Sequence, residues 1–330
     1  MPRGDIRMVQ ALRAAACLLV VIYHAAGGEH GPWPNGAAGV DLFFVISGYV
    51  MIVSSRGLMA GPRPARIFLV RRARRIVPLY WLVTAAKGAI VALSPALTPA
   101  TRPTVWNIAA SLLFIPARDS AGFVRPLLGV GWTLNFEVFF YALFAAALAL
   151  RLHPLWITPI LLALTFAGFC RDATWPAPLS LANGMVLEFA AGLLLGTAHI
   201  TAKPRMALAM LVVGTTSLLA FPSCGPWRCL AWGLPATAIL AGAVALEAHF
   251  GRFLPSWLLA IGDASYAIYL VHPFVVPVFA GHGAAACICS VPASLAAGWL
   301  VHRHVDSWLQ RQFRSASSYQ VRAEKEGVLF

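Results

Sequence analysis

Arg13 and His24 stand eleven positions apart inside the first long apolar stretch of this chain, residues 9–26. At about 100° per residue, eleven steps return almost to the same helical face, about 16 Å further along the axis. One face would thus carry a cation low and an imidazole high. An ionisable side chain at bilayer depth costs roughly 2.5–3.5 kcal/mol on insertion scales, so each one is a functional candidate. Histidine is the side chain best suited to take a proton from a hydroxyl near neutral pH. The plainer readings are a snorkelling arginine and a packed histidine.

The next apolar stretch opens Gly39-Val40-Asp41 and runs on through Ser47, Gly48 and Tyr49. Asp41 enters from the side on which His24 approaches the surface, and a carboxylate beside a histidine fixes its tautomer and stabilises the imidazolium. Capping the helix start is the simpler use of the same residue. Farther on, Thr133, Glu137 and Tyr141 repeat at i, i+4 and i+8 among Phe, Leu, Val and Ala. Such a polar stripe faces protein or water, not lipid. Ser265, Tyr269 and His272 share another face with Tyr266 close by, where interhelical hydrogen bonding competes with chemistry as the explanation. Arg71-Arg72-Ala73-Arg74-Arg75 stands just before Pro78. Arg72 and Arg75 are three apart, hence neighbours on a helix, and guanidinium forks suit phosphate. Anchoring at the cytoplasmic surface accounts for such a cluster by itself.

The elements holding these groups follow from composition. Hydrophobic residues make up 59% of the 330-residue chain and charged residues 11%, against roughly 45–50% and ~25% in soluble domains. A soluble fold is excluded. Runs long enough to cross a bilayer predict an all-α, polytopic membrane helix bundle of about ten spans: 9–26, 38–53, 76–93, 129–150, 154–170, 184–198, 206–221, 230–246, 257–280 and 284–301. Residues 106–116 are apolar but short, which predicts an interfacial or re-entrant helix. The first run lacks a small-residue cleavage site and is read as a retained helix rather than a signal peptide. Residues 1–302 form the expected membrane domain, and 303–330 a basic cytoplasmic tail.

With both termini cytoplasmic, 19 of the 25 lysines and arginines fall inside and 5 outside, Lys87 lying within a span. Membrane topology therefore accounts for the net charge of +13, and nucleic acid need not be invoked. Of six cysteines, Cys224 and Cys229 share one outer loop where a disulfide is permitted, and no Cys/His spacing matches a metal site.

The ensemble resembles the membrane acyltransferase-3 family of bacterial O-acyltransferases. Five blocks occur in the family's order: Arg13-x10-His24; the run from Gly39 and Asp41 to Ser47, Gly48 and Tyr49; Arg72-x-x-Arg75-x-x-Pro78; Trp132-Thr-Leu-x-x-Glu137-x-x-Phe140-Tyr141; and Gly262-x-x-Ser265-Tyr266-x-x-Tyr269-Leu-x-His272. Thr133 departs from the usual serine but keeps the hydroxyl. The resemblance implies His24 at the catalytic centre, Arg72 and Arg75 in use of an acyl-CoA donor, and Arg13 and Glu137 as required polar groups. It also implies transfer to carbohydrate at the inner membrane, with acyl-CoA, most simply acetyl-CoA, as a co-substrate and no permanently bound cofactor. The residues after the last span are too few for the fused esterase-like domain of some members.

On this reading the acyl-CoA phosphates dock at Arg72 and Arg75, and the pantetheine arm reaches toward His24. A carbohydrate or glycolipid acceptor arrives from outside. His24, oriented by Asp41 or Glu137, acts as general base, with Tyr266 or Arg13 stabilising the oxyanion. An acyl-histidine intermediate is the alternative chemistry. The main rival is a secondary transporter or lipid-linked glycan flippase. Transporters often carry internal repeats, and the second half holds no copy of Arg13-x10-His24 or of the Gly39–Tyr49 block.

Overall fold

The computed structural model describes residues 6–94, 103–172, 174–198, 200–222 and 225–313. These residues are helical, apart from loops and one isolated antiparallel bridge between Arg118 and Val124. The helices are α1 (Arg7–Ala25), α2 (Gly39–Ser55), α3 (Pro64–Leu93), α4 (Val105–Leu112), α5 (Trp132–Ala149), α6 (Thr158–Phe169), α7 (Val186–Thr197), α8 (Pro204–Ala220), α9 (Leu234–Phe250), α10 (Ser256–Phe279) and α11 (Ala284–Val301). Each expected span coincides with one of them, and the short apolar stretch forms α4. The protein is a multi-pass, all-helical membrane protein.

Among the described residues, seven helical segments are long and apolar enough to cross a membrane, and α6, α7 and α8 belong to shorter apolar segments. Twelve residues, the length of α6 and of α7, rise only about 18 Å against a hydrocarbon core of ~30 Å. Their sequences explain the shortness. Pro154 and Pro159 break the approach to α6 into a 3₁₀ turn, and Asn183-Gly184 turns the chain just before α7.

Two packing arrangements position the polar groups. The first sets α2 against α7 at close range. A Cβ on Gly48 would lie 2.3 Å from the Phe189 carbonyl oxygen, and one on Gly192 2.1 Å from that of Val45. Small residues let helix backbones approach where apolar burial gives little drive. The second lays α1 along α10 in parallel. Gln10 bonds Asp263, Arg13 bonds Ser265, and His24 meets His272. The two stripes predicted on separate helices are thus one seam.

Helix α3 begins with Pro64 at its first turn and carries Arg71–Arg75 and Lys87 on a single helix, with Pro78 inside. Past α11 the chain stays helical through a π turn, His302–Asp306, and on to residue 313. Val305 and Leu309 pack on the main core there, beyond the expected domain boundary. Residues 314–330 of the expected tail, and Cys224 of the permitted disulfide, lie outside the described residues.

Candidate active site

Five of the seven candidate residues line one cavity of about 250 Å³: Arg13, Arg72, Arg75, Glu137 and Tyr266. It opens between the N-terminal half of α1, α2 along most of its length, the arginine-bearing part of α3, α5 and α10. The guanidinium of Arg13 donates to Gln10 Oε1 at 2.9 Å and to Ser265 Oγ at 3.0 Å. Arg72 donates to Ser54 Oγ at 2.7 Å and lies over the rings of Phe68 and Tyr141, 5.5 and 5.7 Å from their centroids. Cation–π contact and a hydroxyl acceptor hold that guanidinium in place. Arg75 and Arg13 also line an adjoining vestibule of about 630 Å³ that contains Arg71, Arg74 and His302.

The α5 stripe faces this cavity through Thr133, Glu137 and Tyr141, and the Tyr141 hydroxyl donates to Glu137 Oε1. Tyr266 donates its proton to the Ile76 carbonyl at 2.7 Å. Its hydroxyl is therefore committed to α3 in this structure.

His24 lines a different cavity, of about 320 Å³, around the opposite end of α1. Its Nδ1 lies 2.9 Å from the Val20 carbonyl oxygen. A carbonyl can only accept, so Nδ1 carries the proton and Nε2 is left with a free lone pair. This backbone contact fills the orienting role expected of Asp41 or Glu137. The same geometry recurs at fully buried His272, whose Nδ1 is 3.3 Å from the Ile268 carbonyl oxygen and whose Nε2 has no hydrogen-bond partner. The two imidazole centroids are 4.8 Å apart.

Asp41 lies elsewhere. It is fully buried in the first turn of α2, and Arg228 grips it with Nε at 3.0 Å and Nη2 at 2.7 Å. The expected Asp41–His24 pair does not form because a guanidinium fork neutralises a buried carboxylate, which a neutral imidazole cannot do. Arg228 also covers the Trp232 ring at 4.7 Å, and the buried carboxyl of Glu188 sits beside Asp41.

Between the two cavities, the Tyr269 and Thr133 hydroxyls lie 2.9 Å apart and lie 2.9 and 3.1 Å from the Val130 carbonyl oxygen, so their two protons serve two of these three contacts at a time. Thr133 and Tyr269 line the arginine cavity and Val130 lines the histidine cavity, so this knot is the partition. The hydroxyl that Thr133 keeps in place of the family's usual serine is part of it.

The arrangement sets an arginine-rich chamber at one end of the helix bundle and an oriented histidine at the other. The comparisons supply the class. A family model described as an acyltransferase domain, of the acyltransferase-3 type, matches residues 7–312, and the chain belongs to that family. It is 38% identical over 277 residues to the exopolysaccharide production protein ExoZ of Rhizobium meliloti (strain 1021), covering 80% of this chain and 84% of that one. It is 29% identical over 298 residues to BcsY of Komagataeibacter xylinus, named for membrane-bound transacylation, covering 82% of this chain and 73% of that one. No solved structure matches.

Spacing alone misses Arg228, because 187 positions separate it from Asp41. It also misses Asp119 and Arg125, which line the His24 cavity from a loop. Lys87 did carry a signal, being a lone ammonium within an apolar span.

Proposed function

We propose that this protein transfers an acyl group, acetyl in the simplest case, from acyl-CoA to a hydroxyl of an exported or envelope carbohydrate at the bacterial inner membrane. The arginine end faces the cytoplasm, where acyl-CoA is found, and the His24 end faces outward. The observation that carries this reading is the free Nε2 of His24, fixed by the Val20 carbonyl in a chamber opposite the arginines. The phosphates of the donor bind at the arginine end, and the pantetheine arm runs past Tyr269 and Thr133 toward His24. The acceptor hydroxyl gives its proton to Nε2 as its oxygen attacks the thioester carbonyl. The carbon–sulfur bond then breaks, and the imidazolium returns the proton to the departing thiolate. The names of ExoZ and BcsY, exopolysaccharide production and transacylation, support a polysaccharide acceptor.

Deleting the gene should remove the acetyl signal from proton spectra of the purified surface polysaccharides. An unchanged spectrum across all of them would refute the carbohydrate assignment. For the donor, Arg75→Ala should raise the KM for acetyl-CoA about tenfold with little change in kcat, because a charge-assisted contact is worth ~1.5–3 kcal/mol. Arg72→Ala should in addition lower stability, since its guanidinium also joins α2, α3 and α5. A normal donor KM in purified, well-folded Arg75→Ala protein would reduce the cluster to a topological anchor.

A further inference from the structure

The cavity containing His24 also contains a charge that no described residue balances. Lys87 lies on α3, a helix long and apolar enough to cross the membrane, and lines this cavity. Among the described residues it makes no hydrogen bond and no ion pair. An ammonium at membrane depth is costly to keep and ordinarily finds an anionic partner.

The other charges here are already matched. Asp119 accepts from the amides of Ala121 at 2.9 Å and Phe123 at 3.0 Å, and pairs with the Arg125 guanidinium. Burial acts to raise the Asp119 carboxyl, but Arg125 and these amides outweigh it and hold the group below the usual carboxylate range. The loop is fastened as well: Asn107 donates to the Arg125 carbonyl at 3.0 Å, and Arg118 reaches the carbonyls of Gly122 and Trp175 at 2.8 and 3.0 Å. One wall is thus an internally neutral pair, and the cation left without a partner among the described residues is Lys87.

We infer that the His24 cavity is the acceptor subsite and that it selects a saccharide unit bearing an anion, a carboxylate or a phosphate, which Lys87 binds while a hydroxyl of the same glycan faces His24. The Asp119–Arg125 pair and the Trp132 indole, which line the same cavity, supply the hydrogen-bonding groups and the apolar surface that a sugar ring needs. This rests on the acyltransferase reading for the role of the hydroxyl, but the anion preference is a binding property and can be measured without turnover.

The test uses three tetrasaccharides identical except at the terminal unit, which is glucuronate, glucose 6-phosphate or glucose. Full-length protein in nanodiscs of zwitterionic lipid is titrated with each. Wild type should bind at least one of the anionic pair tenfold or more tightly than the neutral one, and which of the two wins identifies the anion. Lys87→Met should erase that preference while Lys87→Arg keeps it. Equal or undetectable binding of all three by wild type overturns the proposal. So does a preference that survives in folded Lys87→Met, because the ammonium then only snorkels to the interface. The wild-type comparison stands even if Lys87→Met does not assemble. An anion preference without any acetyl transfer from acetyl-CoA would sink the donor reading and leave the subsite. Transfer without a preference would do the reverse.

Discussion

Purified His24→Gln protein should lose about 10²–10⁴-fold in kcat for acyl transfer, the range a positioned base contributes. Glutamine keeps approximate size and can still donate to the Val20 carbonyl, which now accepts from Nδ1 at 2.9 Å. It has no nitrogen that takes a proton at neutral pH. The KM for acyl-CoA should therefore stay within about threefold, because the arginine chamber lies at the other end of α1 and does not include His24. Incubation with labelled acetyl-CoA and no acceptor separates the two chemistries. A hydroxylamine-sensitive label on wild type that is absent from His24→Gln marks an acyl-histidine, and its absence from both marks direct transfer. Substantial transfer by well-folded His24→Gln protein would remove this histidine as the base and move attention to its neighbour His272, 4.8 Å away between centroids.

The sequence shows where helices lie more clearly than it shows which polar groups meet. Each span is legible because hydropathy sums over some twenty residues, and stripes such as Thr133, Glu137 and Tyr141 are legible because 3.6-residue periodicity fixes a face. That all three line the arginine cavity follows from the period. Partners across helices are a different matter. Asp41 and His24 approach the same surface, yet the carboxylate goes to Arg228 and the imidazole to a carbonyl one turn back in its own helix. Sequence distance carries no information on that choice; the need to neutralise a buried charge does. Helix length was also less legible than helix position. α6 and α7 have the expected apolar composition, but proline and glycine before their first turns shorten them.

The Asp41–Arg228 pair gives the largest expected effect on folding. Asp41 is fully buried and Arg228 is 21% exposed, and the site also holds the buried carboxyl of Glu188. Arg228→Met removes the matching cation and leaves two carboxyl groups together in an apolar setting, which should destabilise the bundle by about 3–5 kcal/mol. Equilibrium unfolding in graded denaturing detergent would measure it. Asp41→Asn combined with Arg228→Met should cost less than Arg228→Met alone, since no unmatched charge stays buried between them. Glu188→Gln should cost less again, because it keeps the shape and offers Asp41 an N–H donor. Arg228→Met protein as stable as wild type would show that the pair holds nothing together. Activity per folded molecule tests the separation of roles. Because the Val20 carbonyl orients His24, the folded double variant should keep kcat within about threefold. A drop of a hundredfold or more at normal stability would restore Asp41 as the partner of His24.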